Sequence, residues 1–165
     1  MLQTRRAPAR LPPFANASAG ERARAGIAER VATWDVDEVN GDPQRKPCVL
    51  LVEDDERLLF AMSEVLNDAG YETKAAGDGH IAINKLAMGW TPDVIVLDIQ
   101  LPFVGGLEVI QWMREKNLDV PVVLSTQEDD VTAAHVGAVM KLIKPFTLEQ
   151  LLDAVAIGLK AKTRK

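Results

Sequence analysis

The chain has 165 residues, 47% of them apolar, a formal charge of −5 and a single cysteine. That length allows one ordinary domain plus an extra segment. One cysteine excludes an internal disulfide, and no apolar run approaches the roughly 18 residues that a membrane-spanning helix needs. Charge is uneven: residues 1–46 hold eight Lys/Arg against six acids, a surplus of +2 that leaves −7 for the remainder. An acidic main domain does not point to nucleic-acid binding.

The first 20 residues contain three Arg, three Pro and no acid, so they have nothing with which to bury a core and read as disordered. They lack the apolar stretch of a secretory signal. The same composition also fits an organellar transit peptide, or a start codon placed too early. From Ala19 to Trp34 the residues Ala23, Ile27, Val31 and Trp34 fall on one helical stripe, which fits packing on the chain's own domain or on a partner. Gly41 to Pro47 is turn-forming and polar and reads as the linker into the main domain.

Strand and helix patterns alternate from Cys48 onward. Cys48–Val52 is a short apolar run with a buried thiol at its head. Leu58, Met62, Val65, Leu66 and Ala69 mark a helix that stops at Gly70. Tyr71–Ala75 predicts a second strand, and Ile81–Met88 a helix ending at Gly89. Val94–Leu97 predicts the third strand, and Leu107, Ile110 and Met113 the helix after it. Val120–Ser125 is the fourth strand, followed by a short helix over about 130–136. Leu142 and Ile143 belong to a fifth strand. Leu148, Leu151, Leu152, Val155 and Leu159 belong to a last helix, with Thr147 and Gln150 spaced as a capping box. All-apolar strands alternating with helices imply a parallel sheet covered on both faces, an α/β doubly wound fold.

In such a sheet, ligands bind outside the carboxyl ends of the strands. Those ends carry Glu53-Asp54-Asp55, Asp98, Ser125-Thr126 and Lys144-Pro145. Each alone has a bland explanation: Asp55 reads as a helix cap, a threonine after a strand as a turn residue, a lysine before proline as a solvated cation. Their convergence on one rim is the signal. Two carboxylates about 4 Å apart repel by roughly 1 kcal/mol in water and roughly 4 kcal/mol at an effective dielectric near 20. Glu53, Asp54 and Asp98 together therefore call for a cation, and a few hard oxygen ligands with room for water and phosphate oxygens describe a Mg²⁺ site. Lys144 adds a second positive charge, and both keep Asp98 ionised, as a carboxylate nucleophile must be. No GxxxxGK[ST] or GxGxxG occurs, so a P-loop mode of ATP binding is not expected. In DVIVLDIQLPFVGG, Asp93 to Gly106, the apolar run mounts Asp98 rigidly, and Pro102 with the two glycines turns the chain away from it.

VLLVEDDERLL, DVIVLDIQLPFVGGLEVI, PVVLSTQE and KLIKPFTLEQLLDAV, in that order and spacing, resemble the receiver domain of two-component response regulators. The resemblance covers about Pro47 to Lys162. It implies a flavodoxin-like five-stranded parallel sheet of order 2-1-3-4-5 with helices on both faces, spanning 47–165 after an N-terminal extension, 1–46. It also implies that Asp98 accepts a phosphoryl group and that Asp54, Asp98 and the Gln100 backbone carbonyl ligate Mg²⁺, with Glu53 acting through water. Thr126 then bonds a phosphoryl oxygen, and Lys144 pairs with the phosphoryl group. The implied donor is a phosphohistidine on a sensor histidine kinase or histidine phosphotransfer protein, and the implied location is cytoplasmic.

No output domain follows the last helix before Lys165, so the expectation is a stand-alone, chemotaxis-regulator-like receiver. It would signal through a protein target at the surface of the 130–136 helix, the fifth strand and the last helix, without direct nucleic-acid contact, or it would drain phosphate. Three features depart from the usual pattern: Gln127 stands where a small residue is usual, Lys141 where an aromatic is common, and Gln100 with Glu128 occupies the positions that tune the lifetime of the acyl phosphate.

Two rivals remain. A phosphorylation-independent receiver usually lacks an acid, the Thr or the Lys, and none is missing here. A haloacid-dehalogenase-type phosphatase would use Asp-x-Asp-x-[Thr/Val], which Asp35-Val36-Asp37-Glu38-Val39 matches. No buried strand precedes that match.

Overall fold

A computed structural model describes residues 45–127 and 133–163. The expected helix over 19–34, Asp35 to Val39, most of the linker, Glu128 and the first part of the expected 130–136 helix lie outside the described residues. The remainder of that expected helix, from Ala133, is a turn.

The elements run β1 (Cys48–Val52), α1 (Glu56–Asp68), β2 (Glu72–Ala76), α2 (Gly79–Ala87), β3 (Val94–Asp98), α3 (Gly106–Glu115), β4 (Val122–Thr126), β5 (Met140–Ile143) and α4 (Leu148–Thr163). The strands form one parallel sheet of order β2-β1-β3-β4-β5, a flavodoxin-like, doubly wound arrangement. β1, β3 and β4 are buried along their whole length, whereas the edge strands β2 and β5 are partly exposed. This explains why the three inner strands carry no polar alternation: each has apolar neighbours on both faces.

Alternate residues of each inner strand serve opposite faces. Val49, Leu51, Val94 and Val96 pack with Met62 and Leu66 of α1 and Leu151, Val155 and Leu159 of α4. Leu50, Val52, Ile95 and Leu97 pack with Ala82 and Leu86 of α2 and Val109, Ile110 and Met113 of α3. Each such side chain contributes roughly 1.5–3 kcal/mol through burial. Cys48 is buried as expected, and burial, with the nearby Glu72 carboxylate adding to it, pushes its thiol up to about 11.

The helix ends follow the sequence signals. Asp55 accepts from the N–H groups of Arg57 and Leu58, the cap anticipated for it. Gly70 and Gly89 take positive φ just past α1 and α2, where the helix must be left in a left-handed conformation. The capping box is present: Gln150 N–H donates to Thr147 Oγ1 at 3.2 Å, and Thr147 N–H to Gln150 Oε1 at 2.7 Å. Thr147→Ala is therefore expected to lower stability by about 1 kcal/mol, read as a reduced midpoint in urea unfolding with an unchanged slope.

At the amino end of the sheet, opposite the loops that carry the acids, lies a cluster the sequence patterns did not reveal. Asp93, 1% exposed, accepts from the Cys48 N–H at 2.7 Å. Arg45 Nη2 lies 2.9 Å from Asp93 Oδ2, and Lys162 Nζ 2.7 Å from Asp93 Oδ1. One carboxylate thus joins the chain entering β1, the start of β3 and the end of α4. Burial alone would raise its pKa; the Cys48 N–H, Lys162 and Arg45 outweigh burial and hold the carboxyl below the usual carboxylate range.

Candidate functional site

The carboxyl ends of β1 and β3 are adjacent because β1 pairs directly with β3, Val52 opposite Leu97. The next residue on each strand is an acid, Glu53 and Asp98, and Asp54 follows. One carboxylate oxygen from each of Glu53, Asp54 and Asp98 lies within 4.8 Å of the other two. Glu53 and Asp98 are buried, and Asp54 is exposed. β5 brings the cation: Lys144, one residue past its end, places Nζ 2.5 Å from Asp98 Oδ2 and 2.7 Å from Glu53 Oε2. The Lys144 N–H is held in turn by the Thr126 carbonyl at 2.9 Å.

The electrostatics are unevenly satisfied. Asp98 Oδ1 accepts from the Gln100 N–H at 2.9 Å, and Oδ2 accepts from Lys144. Glu53 Oε2 has the ammonium as an ionic neighbour but no aligned hydrogen bond. Burial raises the Glu53 carboxyl above the usual range; contact with Lys144 opposes this, and the Asp98 charge adds to it. For Lys144, burial alone would lower the ammonium, and its bonds to Asp98 and Glu53 reverse the sign and raise it. Three acids and one ammonium leave a negative surplus in a largely buried pocket, and a buried carboxylate oxygen there lacks an aligned donor. That is the chemistry of a divalent cation site with oxygen ligands.

Thr126, Gln100 and Gln127 fall on the same rim. Thr126 ends β4 and is buried, one residue past Ser125, the register partner of Asp98. Gln100 meets Asp98 through its backbone N–H. Gln127 is exposed and lines a cavity of about 520 Å³ with Leu58, Lys144, Pro145 and Phe146. Lys141 lies on β5 opposite Leu124, two strands away from Asp98.

The loop after β3 turns in a way the sequence did not indicate. Pro102, Gly105 and Gly106 were expected to turn the chain; Pro102 opens the turn, and neither glycine takes positive φ. Gly106 serves close approach instead, since a Cβ there would overlap the Asp98 carbonyl oxygen. The left-handed residue is Phe103, with φ of 64°. Val104 N–H donates to the Pro102 carbonyl at 2.8 Å, closing a three-residue γ-turn around Phe103, of the uncommon kind whose central residue has positive φ.

Comparison with known proteins decides the family. A model of the response regulator receiver domain matches residues 49–156. The chain belongs to the response regulator receiver family. Among curated relatives, the transcriptional regulatory protein TrcR of Mycobacterium tuberculosis is 39% identical over 118 residues, 68% of this chain and 44% of that protein. The transcriptional regulatory protein PrrA of Mycobacterium leprae is 37% identical over 113 residues, 66% of this chain and 48% of that protein. The chain thus spans about half the length of these relatives. Among solved structures, the chemotaxis response regulator CheY4 of Vibrio cholerae is 32% identical at a TM-score of 0.60, covering 67% of this chain and 97% of that one. The receiver domain of the Francisella response regulator 1452 is 27% identical at a TM-score of 0.65, covering 70% and 98%. No helix among the described residues of this receiver is long and apolar enough to cross a membrane.

Proposed function

We propose that this receiver is a phosphorylation-dependent signalling switch of a two-component phosphorelay, with Asp98 as the phosphoacceptor. The observation that carries the proposal is the Asp98 carboxylate itself: 4% exposed, bonded to Lys144, and grouped with Glu53 and Asp54 at the mouth of the sheet. An Asp98 oxygen attacks the phosphorus of a phosphohistidine; the new O–P bond forms as the N–P bond breaks, and the imidazole leaves with the electron pair and takes a proton from water. Lys144 balances the charge that the phosphoryl oxygens bring. Thr126 bonds a phosphoryl oxygen, and its shift changes the population of the surface formed by residues 130–136, β5 and α4.

Glu53, Asp54, Asp98 and the Gln100 carbonyl fit a Mg²⁺ ion, the first through water. When bound, Mg²⁺ supplies neutralisation of phosphoryl and carboxylate charge. The donor is a sensor histidine kinase or histidine phosphotransfer protein. The chain catalyses only its own phosphorylation and dephosphorylation, acts in the cytoplasm, and signals to a protein; the acid surplus beyond residue 46 works against direct contact with nucleic-acid phosphates. We assign residues 47–165 to the receiver and 1–46 to an extension. The test is incubation with acetyl phosphate and Mg²⁺. A phosphoryl mass gain that disappears with chelator is expected, and no gain at all would reject the switch.

The same cluster sets function against stability. Glu53 is disfavoured as an anion in the folded chain, so Glu53→Gln is expected to raise the melting temperature in chelator by roughly 4 °C, about 1 kcal/mol. It is expected to weaken Mg²⁺ binding about tenfold in calorimetric titration. A variant that melted lower in chelator would place the ion pair with Lys144 above the desolvation of Glu53.

A further inference from the structure

Phe103 is the most exposed large apolar side chain among the described residues, 94% accessible, and it sits in a conformation that costs an L residue energy. Among the described residues neither cost is recovered: a side chain this exposed packs against none of them, and the γ-turn around it is made by the Pro102 and Val104 backbone, which a glycine at 103 would form without strain. A partner seated on the loop would bury the ring.

Position limits what that can be. Phe103 is five residues past Asp98, on the rim from which Asp98 is reached. The loop is fixed there: a Cβ on Gly79 would overlap the Val104 carbonyl, and Gly106 abuts Asp98. Ile81 and Leu107, each 42% exposed, lie in the first turns of the two helices that start beside this loop. Asp98 is itself almost buried, so a histidine carried on a protein reaches it only if the donor's surface comes down on the rim.

We infer that Phe103 is a docking residue for the phosphohistidine-bearing protein, inserting its ring into an apolar patch of that donor beside the histidine. The inference rests on Asp98 being the acceptor. It also commits to the donor's chemistry: apolar where it meets Phe103, basic where it meets the exposed carboxylates of Asp55 and Glu56. A small phosphodonor needs no such surface and is indifferent to Phe103.

The test compares two donors on the full chain carrying Phe103→Gly or Phe103→Tyr. One donor is acetyl phosphate with Mg²⁺. The other is the histidine kinase that transfers fastest to the wild-type chain from a panel autophosphorylated with labelled ATP. Phe103→Gly is expected to melt at or above the wild-type temperature and to accept from acetyl phosphate at the wild-type rate. It is expected to accept from the kinase about tenfold more slowly, a loss of about 1.4 kcal/mol. Phe103→Tyr is expected to retain at least half the wild-type kinase rate. Equal kinase rates for Gly and wild type overturn the inference, as does an equal loss with both donors, which would place Phe103 in the acceptor site itself. If acetyl phosphate labels the wild type but no kinase does, the docking role fails while the acceptor stands. If neither donor labels it, the acceptor assignment fails and takes the docking role with it.

Discussion

Asp98→Ala is expected to abolish the phosphoryl mass gain from acetyl phosphate and Mg²⁺, a loss of at least about 10³-fold in rate. Three carboxylates share the pocket, so the identity of the nucleophile is a real question. Glu53 is almost wholly buried and is raised toward its neutral form, which makes it a poor attacking group. Asp54 is exposed and lacks the ammonium that orients Asp98. Only Asp98 has both oxygens oriented, one by the Gln100 N–H and one by Lys144. The companion variant Asp98→Asn keeps the volume and an acceptor oxygen for the Gln100 N–H, while Lys144 keeps Glu53 as a partner. It should therefore melt within about 4 °C of wild type, about 1 kcal/mol, and still gain no phosphoryl group. Equal mass gain in wild type and Asp98→Ala would move the acceptor to another residue and reject the proposed mechanism.

The catalytic edge was legible in the sequence because its information is local. An all-apolar run followed by an acid is a buried strand ending at the ligand edge, whatever else the chain does, and β1 and β3 both read that way. The capping roles of Asp55, Thr147 and Gln150 were equally local. Two features escaped because nothing local encodes them. Arg45 and Lys162 meet Asp93 across separations of 48 and 69 residues, and in sequence they look like a linker cation and a solvated helix cation. Phe103 escaped for a different reason: propensity places positive φ on glycine, yet Gly106 serves close approach to the Asp98 carbonyl and the left-handed residue is aromatic. β4 begins later and β5 earlier than their apolar runs. Val120 and Pro121 precede β4, and Met140 opens β5, because pairing with β3 and β4 sets their limits rather than hydropathy.

The largest stability effect is expected far from Asp98. Asp93→Ala leaves the Cys48 N–H buried without its acceptor and removes the one anion that Arg45 and Lys162 share. Arg45 and Lys162 are each about a third exposed and can turn to water, so the cost lies mainly in the lost backbone bond and in release of the segment before β1 and the last turn of α4 from β3. About 2–4 kcal/mol is the expected total, a fall of roughly 10 °C in melting temperature. Asp93→Asn keeps an acceptor for Cys48 and should lose less. The pH dependence follows from the same group. Its folded pKa lies below the unfolded value near 3.8, so its stabilisation is complete above about pH 4 and is lost as pH falls through the folded value. Glu53, raised by burial, acts in the opposite sense: its penalty is present while it is ionised and is relieved on acidification. Wild type should thus lose stability steeply below pH 4, and Asp93→Asn should show a shallower acid limb while melting lower than wild type at pH 7. Parallel acid limbs in urea unfolding series at pH 3 to 7 would assign the acid sensitivity to other carboxylates.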